Sequence, residues 1–190
     1  MPRSIAAASV IRSVIGAFSR TFVVVIIRPY GSPETSRWHN WRMRIHIAAD
    51  HAGFELKTAL VPHLEDSGHD VVDHGADIFD PHDDYPTMCI AAAEAVVADR
   101  GSLGVVIGGS GNGEQIAANK VHGVRAALAW SEVTATLARQ HNDANVVAIG
   151  ARQHSTEEAT ALVDAFLAES FSGDPRHQRR IDEVAEYESR

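Results

Sequence analysis

From Met43 onwards, short apolar runs alternate with longer segments of helical periodicity, a pattern that predicts strands followed by helices. The predicted strands are residues 44–49, 70–73, 103–107, 124–129 and 145–149. The predicted helices are residues 54–67, a segment opened by Pro86, 114–121, 132 to about 140, 156–171 with a capping box from Ser155 and Glu158, and a last segment from Pro175. This alternation predicts an α/β fold, a three-layer α/β/α Rossmann-like sandwich with a five-stranded parallel sheet.

Residues 1–42 do not follow this pattern, and we expect the folded domain to comprise residues 43–190. The segment carries six arginines against one acid, or +5 of the total charge of −8, which leaves −13 for the remainder. Three interpretations stay open. In the first, Met43 is the natural start and the extension is disordered or not native. In the second, the segment is an arginine-rich targeting sequence, and in the third it is a functional arm. Its longest apolar run is far too short for a membrane span.

Composition narrows the class of protein. A chain of 190 residues with 45% hydrophobic residues is long enough for one domain with a substantial core. The net negative charge argues against nucleic-acid binding through bulk electrostatics, and no membrane partner is expected. A single cysteine, Cys89, excludes a disulfide framework and suits a reducing, cytoplasmic location; it falls in an apolar helix and is expected to be buried and inert.

Candidate chemistry follows three of the predicted strands. Ligands of parallel α/β sheets bind beyond the carboxyl ends of the strands. Asp50 and His51 follow the first strand, a glycine loop with Ser110 and Glu114 follows the third, and Arg152 follows the fifth. Taken singly, an Asp-His pair is more often a helix cap and a surface histidine, and one glycine-rich turn is a weak signal. Their convergence at one edge of the sheet favours a binding site.

The glycine loop does not match a nucleotide-binding motif. A P-loop needs Lys and Ser or Thr after its last glycine, whereas Glu114 and Gln115 stand there, and the first βα turn lacks the dinucleotide fingerprint. The loop amides and the Ser110 hydroxyl could instead stabilise an enediolate that exists only during reaction. Glu114 would then be the base that removes a carbon-bound proton, and its place near a helix N-terminus should keep it ionised at neutral pH.

Two further segments carry candidate residues. Arg176 and Arg180 are four residues apart on the last predicted helix, so both project from one face. They could bind a phosphate, although a basic run on a terminal helix is usually a solvated face. His141 could serve the chemistry or could simply interact with a helix C-terminus.

The motifs together resemble those of the type B ribose-5-phosphate isomerases and their relatives, the allose- and galactose-6-phosphate isomerases. The resemblance covers essentially all of residues 43–190, and residues 1–42 have no counterpart in it. The segments that carry it are Ala49-Asp50-His51-Ala52-Gly53, Asp84-Tyr85-Pro86, Gly109-Ser110-Gly111-Asn112-Gly113, Ile116-Ala117-Ala118-Asn119-Lys120, Arg139-Gln140-His141-Asn142 and Arg176-His177-Gln178-Arg179-Arg180-Ile181.

The resemblance implies interconversion of ribose 5-phosphate and ribulose 5-phosphate, a step of the pentose phosphate pathway, by a homodimer with active sites between subunits and without metal or organic cofactor. The resemblance also implies a role for each site residue. Asp50 and His51 contact the substrate, Tyr85 lines the pocket, and Ser110 with the amides of Gly109, Gly111, Asn112 and Gly113 holds the enediolate. His141 assists ring opening, Asn142 binds the sugar, and the phosphate end and the sugar are contacted by Arg152, Arg176 and Arg180.

One branch of that family uses a cysteine base just before the glycine loop. Gly108 occupies that position here, so the chain resembles the branch whose base is the glutamate after the loop, Glu114. Because His141 precedes the fifth strand, it should lie at the opposite edge of the sheet and serve the partner subunit's site. A non-catalytic regulatory domain that binds a phosphosugar or a nucleotide is the alternative, and it would have no use for Glu114 and His141.

Overall fold

The computed structural model describes residues 42–190, which form five strands and six helices. Residues 1–41, for which the sequence left three interpretations open, lie outside the described residues. The predicted domain boundary at residue 43 therefore stays a prediction. The elements in chain order are β1 Arg44–Ala49, α1 Phe54–Asp66, β2 Asp70–Asp73, α2 Tyr85–Ala98, β3 Leu103–Gly108, α3 Asn112–Ala118, β4 Ala126–Leu128, α4 Glu132–Asn142, β5 Val146–Gly150, α5 Thr156–Leu167 and α6 Pro175–Glu188.

All five strands are parallel, in the order β2-β1-β3-β5-β4. The strands β1, β3 and β5, which precede the candidate chemistry, are therefore consecutive neighbours at the centre of the sheet. In register, Ala49 lies beside Ile107, and Gly108 lies beside Gly150. The residues that follow these strands emerge side by side at one edge.

Helices cover both faces of the sheet, which confirms the three-layer architecture. One apolar cluster joins α1, α4 and α5 to the sheet and contains Phe166, Ile45 and Ile149, all fully buried. The other joins α2 and α3 to the opposite face and contains Cys89 and Val106. The central strands read as continuous apolar runs because both of their faces are covered. No helix of residues 42–190 is long and apolar enough to cross a membrane.

The helix boundaries differ from the sequence prediction in places. The capping box of α5 is present, with Ser155 accepting from the Glu158 amide and the Glu158 carboxylate accepting from the Ser155 amide. The prediction that α5 continues to Phe171 was wrong, since the helix ends at Leu167. The following segment turns back onto α4, where the Ser172 amide donates to the Gln140 carbonyl. Tertiary contacts outweigh helix propensity there.

The glycine-loop helix also starts earlier than its apolar pattern predicted. It covers Asn112–Ala118 rather than residues 114–121, and Gly111 precedes it at φ +79°, a left-handed conformation that favours glycine. A Cβ at this position would also lie 2.6 Å from the Leu128 side chain. The tight turn therefore brings Glu114 into the first turn of the helix, directly above the end of β3.

Candidate active site

The loops that follow β1, β3 and β5 line an open cavity of about 400 Å³ at the carboxyl edge of the sheet. Its lining contains eight of the residues or loop positions expected from the sequence, together with Ala52 and Gln153. These eight are Asp50, His51, Tyr85, Gly109, Ser110, Gly113, Glu114 and Arg152. The cavity lies within the range of small-molecule sites.

Backbone hydrogen bonds between the loops fix the shape of the cavity. The Ala151 amide donates to the Gly108 carbonyl at 2.8 Å, and the Arg152 amide donates to the Gly109 carbonyl at 3.1 Å. These bonds continue the pairing of β3 with β5 beyond the ends of the strands and place Arg152 beside the glycine loop. On the other side, the Asp50 carboxylate accepts the Ala52 and Gly53 amides at 2.9 and 3.2 Å, which caps the turn after β1.

Tyr85 begins α2, and its ring lies against the glycine loop at Gly113. A Cβ at Gly113 would lie 2.6 Å from the Tyr85 ring and 2.8 Å from its hydroxyl oxygen. Glycine at position 113 therefore permits this contact. Ser110 is exposed in the same loop, and its hydroxyl accepts from the backbone and side-chain nitrogens of Asn112 at 3.3 and 3.2 Å.

Glu114 is 4% exposed, although its carboxyl group faces the cavity. Burial raises the pKa of this carboxyl above its ordinary value, and the Asp50 carboxylate acts in the same direction. Backbone N–H groups of Glu114 and Gly111 oppose the shift. The sequence led us to expect the helix N-terminus to hold the carboxyl ionised. Burial, which is a tertiary effect, acts against that expectation and makes the carboxylate a stronger base.

Space for the Glu114 carboxylate exists because residue 108 is glycine. A Cβ at position 108 would overlap the carboxyl carbon and one oxygen of Glu114. A side chain at this position is therefore incompatible with the observed position of Glu114.

Cys89 lies close to the site but is not available for chemistry. The thiol is fully buried in the cluster beneath α2, as the sequence predicted. Burial raises its pKa to about 12, and the carboxylates of Glu114 and Asp50 add to the shift. At neutral pH the group is a neutral thiol, and it is not a competent base.

Asp83 was not among the site residues predicted from the sequence. It belongs to the loop between β2 and α2, and one of its carboxylate oxygens accepts both the backbone N–H and the Nδ1–H of His51. It is 32 residues from His51 and has neither periodicity nor motif spacing that could have revealed the contact. Single ligand atoms of Asp50, His51 and Asp83 lie within 4.8 Å of one another. The His51 nitrogen nearest to both carboxylates is Nδ1, which carries the proton donated to Asp83 and is therefore not available to a cation.

The structure does not bring His141, Asn142, Arg176 and Arg180 to this cavity. His141 and Asn142 end α4, at the amino edge of the sheet, while both arginines lie on α6, which packs on α4. There the His141 ring packs against the ring of His177, with centroids 4.1 Å apart. Asn142 and Arg180 are exposed. Within one chain the candidate residues thus form two separate groups.

His177 is the buried residue that organises the second group. Arg176 Nη2 lies 3.1 Å from its Nε2 and the Ser172 hydroxyl lies 3.0 Å from its Nδ1. Because a guanidinium can only donate, Nε2 accepts and Nδ1 carries the proton. The imidazole therefore contacts both His141 and Arg176.

With this geometry established, the amino-acid sequence matches the family model described as Ribose/Galactose Isomerase over residues 45–184. The chain belongs to this family. The resemblance and the isomerase class expected from the sequence are confirmed at this level. A relative, ribose-5-phosphate isomerase B of Mycolicibacterium paratuberculosis, is 61% identical over 146 residues, which cover 77% of this chain and 92% of that protein.

More distant members agree. Ribose-5-phosphate isomerase B of Escherichia coli K12 is 40% identical over 147 residues, which cover 77% of this chain and 97% of the relative. The crystal structure of ribose-5-phosphate isomerase B from Mycoplasma genitalium with bound ribulose-5-phosphate matches with a TM-score of 0.74 at 44% identity. That match covers 77% of this chain and 97% of the other. This structural match also confirms the α/β fold.

Proposed function

We propose that the protein interconverts D-ribose 5-phosphate and D-ribulose 5-phosphate through an enediolate, with Glu114 as the base. The observation that carries this proposal is the buried Glu114 carboxyl group, which faces a cavity beside Ser110 and the glycine loop. The names of the close relatives and the ribulose-5-phosphate bound to the Mycoplasma genitalium enzyme support the choice of substrate.

In the proposed reaction, Glu114 removes the proton from C2 of the open-chain aldose, and the electron pair of that bond forms the enediolate. The proton returns to C1 while the hydroxyl proton moves from O2 to O1, so C1 is reduced and C2 is oxidised with no external electron acceptor. Ser110 and the loop amides stabilise the negative charge on oxygen. Burial of Glu114 supports this role because a carboxyl group with a raised pKa is a better match to proton transfer at neutral pH.

Charge in the cavity supports a composite site. The acidic groups are Asp50, Glu114 and the neighbouring Asp83, and the basic groups are Arg152 and His51. A sugar phosphate adds a charge of about −2, since its second pKa is near 6. One chain's cavity thus lacks the positive charge that such a substrate requires, and Arg176 and Arg180 of a second copy would supply it.

We therefore propose a homodimer in which His141, Asn142, Arg176 and Arg180 act in the partner's site. β5 has five residues and spans about 17 Å at 3.3 Å per residue, so His141 lies too far from Glu114 of its own chain. A two-fold axis can bring the amino edge of one copy to the carboxyl edge of the other, twice.

Exposed apolar side chains next to the cavity favour this arrangement. Trp130 is 68% exposed and lines a second cavity that shares Ser110 and Gln153 with the first. Val133 is 66% exposed and Leu137 is also exposed; at positions +3 and +7 from Trp130 they continue the same stripe along α4. A second copy covering this stripe would close the active-site cavity at the same time.

Proton NMR of ribose 5-phosphate in D₂O tests the activity directly. We expect the native protein to produce ribulose 5-phosphate and to exchange the C2 proton for deuterium, and Glu114→Gln to lose at least two orders of magnitude in both rates, as expected when a general base is removed. Binding of the sugar phosphate without turnover or exchange would refute the isomerase and favour a regulatory binding domain.

Subunit exchange tests the composite site. Inactive Glu114→Gln and His141→Ala proteins are mixed and allowed to exchange subunits. If His141 acts in the partner's site, each mixed dimer has one site with both defects and one intact site, so activity returns. If it acts in its own chain's site, every site keeps one defect and the mixture stays inactive.

A further inference from the structure

The contact between Asp83 and His51 is the most specific interaction at the cavity rim whose role is unassigned. Asp83 Oδ1 accepts the His51 backbone N–H at 2.8 Å and the ring Nδ1–H at 2.9 Å. The other oxygen, Oδ2, is buried without a hydrogen-bond partner among residues 42–190. One carboxylate thus fixes both the backbone and the ring of a residue that lines the cavity.

This pair defines the state of the His51 ring. An ionised carboxylate can only accept, so Nδ1 carries a proton and Nε2 is the nitrogen left for another partner. Asp50 Oδ2 lies 4.0 Å from Nδ1 and adds a second negative charge. The hydrogen bond to Asp83 and these charges raise the pKa of His51, against a smaller effect of burial.

The groups facing His51 across the cavity are of both signs. Glu114 and Arg152 line the same cavity, and Tyr85 provides a hydroxyl group. Among the described lining residues, His51 and Arg152 are the two that can carry positive charge. Within one chain, these two side chains are the candidates to bind an anionic substrate, and the proposed dimer adds Arg176 and Arg180 of a second copy.

We propose that Asp83 is a positioning residue that holds the His51 ring with Nδ1–H bound to its carboxylate, so that Nε2 of the protonated ring donates to an oxygen of the bound sugar phosphate. This inference rests on the proposed isomerase function. Asp83 itself does not contact the substrate. It acts through the orientation and the charge of the ring.

The test compares Asp83→Asn with Asp77→Asn. Asparagine keeps the size of the side chain and an acceptor oxygen at position 83 but removes the charge. Asp77 is an exposed acid of the same loop, so its replacement changes the net charge equally without touching His51. KM and kcat for ribose 5-phosphate are measured from pH 5.5 to 9, and the ring nitrogens of His51 are titrated by NMR, with the His51→Gln spectrum as the assignment.

In the native protein KM should rise as the pH passes the raised pKa of His51, since the proton on the ring is lost there. In Asp83→Asn the His51 titration and the rise in KM should both move to lower pH, so that KM at pH 8 is about tenfold higher, the size of one charge-assisted hydrogen bond. At pH 5.5 the two proteins should differ little. Asp77→Asn should follow the native curves, and Asp83→Glu, which restores the charge, should recover part of the shift.

Coincident KM profiles of Asp83→Asn and Asp77→Asn, or an unchanged His51 titration, would overturn the proposal. If Asp83→Asn does not fold, the native titration decides, because a His51 pKa at or below its ordinary value is incompatible with the pair as described. These outcomes are separate from a failure of the proposed function, in which the native protein would not isomerise ribose 5-phosphate at all.

Discussion

Gly108→Ala should inactivate the protein by displacing Glu114, without unfolding it. Gly108 ends β3 in a buried backbone conformation outside the left-handed region, so alanine is compatible with its dihedral angles. The new methyl group would overlap the Glu114 carboxylate, which must move by more than about 1 Å to reach an ordinary contact distance of about 3.5 Å.

The size of the effect follows from this displacement. A misplacement of about 1 Å in a reacting group costs roughly 100-fold in rate, or about 2.7 kcal/mol of transition-state stabilisation. The carboxylate ends a flexible side chain that faces the cavity, so it can move away from the methyl group. The loss of folding stability should then lie at the low end for overpacking, about 1 kcal/mol, or a Tm lower by about 2–4 °C.

A double-mutant cycle with Glu114→Ala provides the assay and its control. The turnover of ribose 5-phosphate and the Tm are measured for Gly108→Ala, Glu114→Ala and the double variant. Once the carboxylate is absent, the methyl group has nothing to displace. Gly108→Ala should therefore cost about 100-fold in the native background and almost nothing in the Glu114→Ala background.

Two results would refute this reasoning. A Gly108→Ala protein with near-native turnover would show that Glu114 can act from a displaced position or is not the base. Equal losses in both backgrounds would show that the methyl group disturbs the site through something other than Glu114.

Three further predictions concern the same site. Cys89→Ser should retain nearly native kcat/KM, because the buried thiol has a pKa of about 12; a loss approaching that of Glu114→Gln would contradict the choice of base. Glu114→Gln should have a higher Tm than the native protein at pH 8, because the ionised Glu114 carboxylate destabilises the fold when its folded-state pKa is raised. This gain in Tm should shrink as the pH falls towards the ordinary carboxyl pKa of 4.5, and a gain independent of pH would exclude this origin. Activity should survive prolonged dialysis against EDTA, and a loss that Zn²⁺ or Mg²⁺ restores would show that a metal takes part.

The local pattern of the sequence was sufficient for most of the fold. Buried parallel strands need continuous apolar runs, and helices against a sheet need apolar periodicity, so all eleven elements could be predicted to within a few residues. The carboxyl-edge rule then selected Asp50, Ser110, Glu114 and Arg152 without knowledge of the strand order. Gly108 could also be recognised as the position that separates two kinds of base, but only from the family resemblance.

The sequence by itself could not determine contacts between residues that are distant in the chain. Strand order made β1, β3 and β5 adjacent, and this packing buried Glu114 and reversed the expected direction of its pKa shift. Desolvation depends on the neighbours a group acquires in three dimensions, which a helix position does not specify. The contact of Asp83 with His51 and that of His177 with His141 have the same origin, since each joins side chains from separate elements that only the folded chain brings within hydrogen-bond or ring-contact distance.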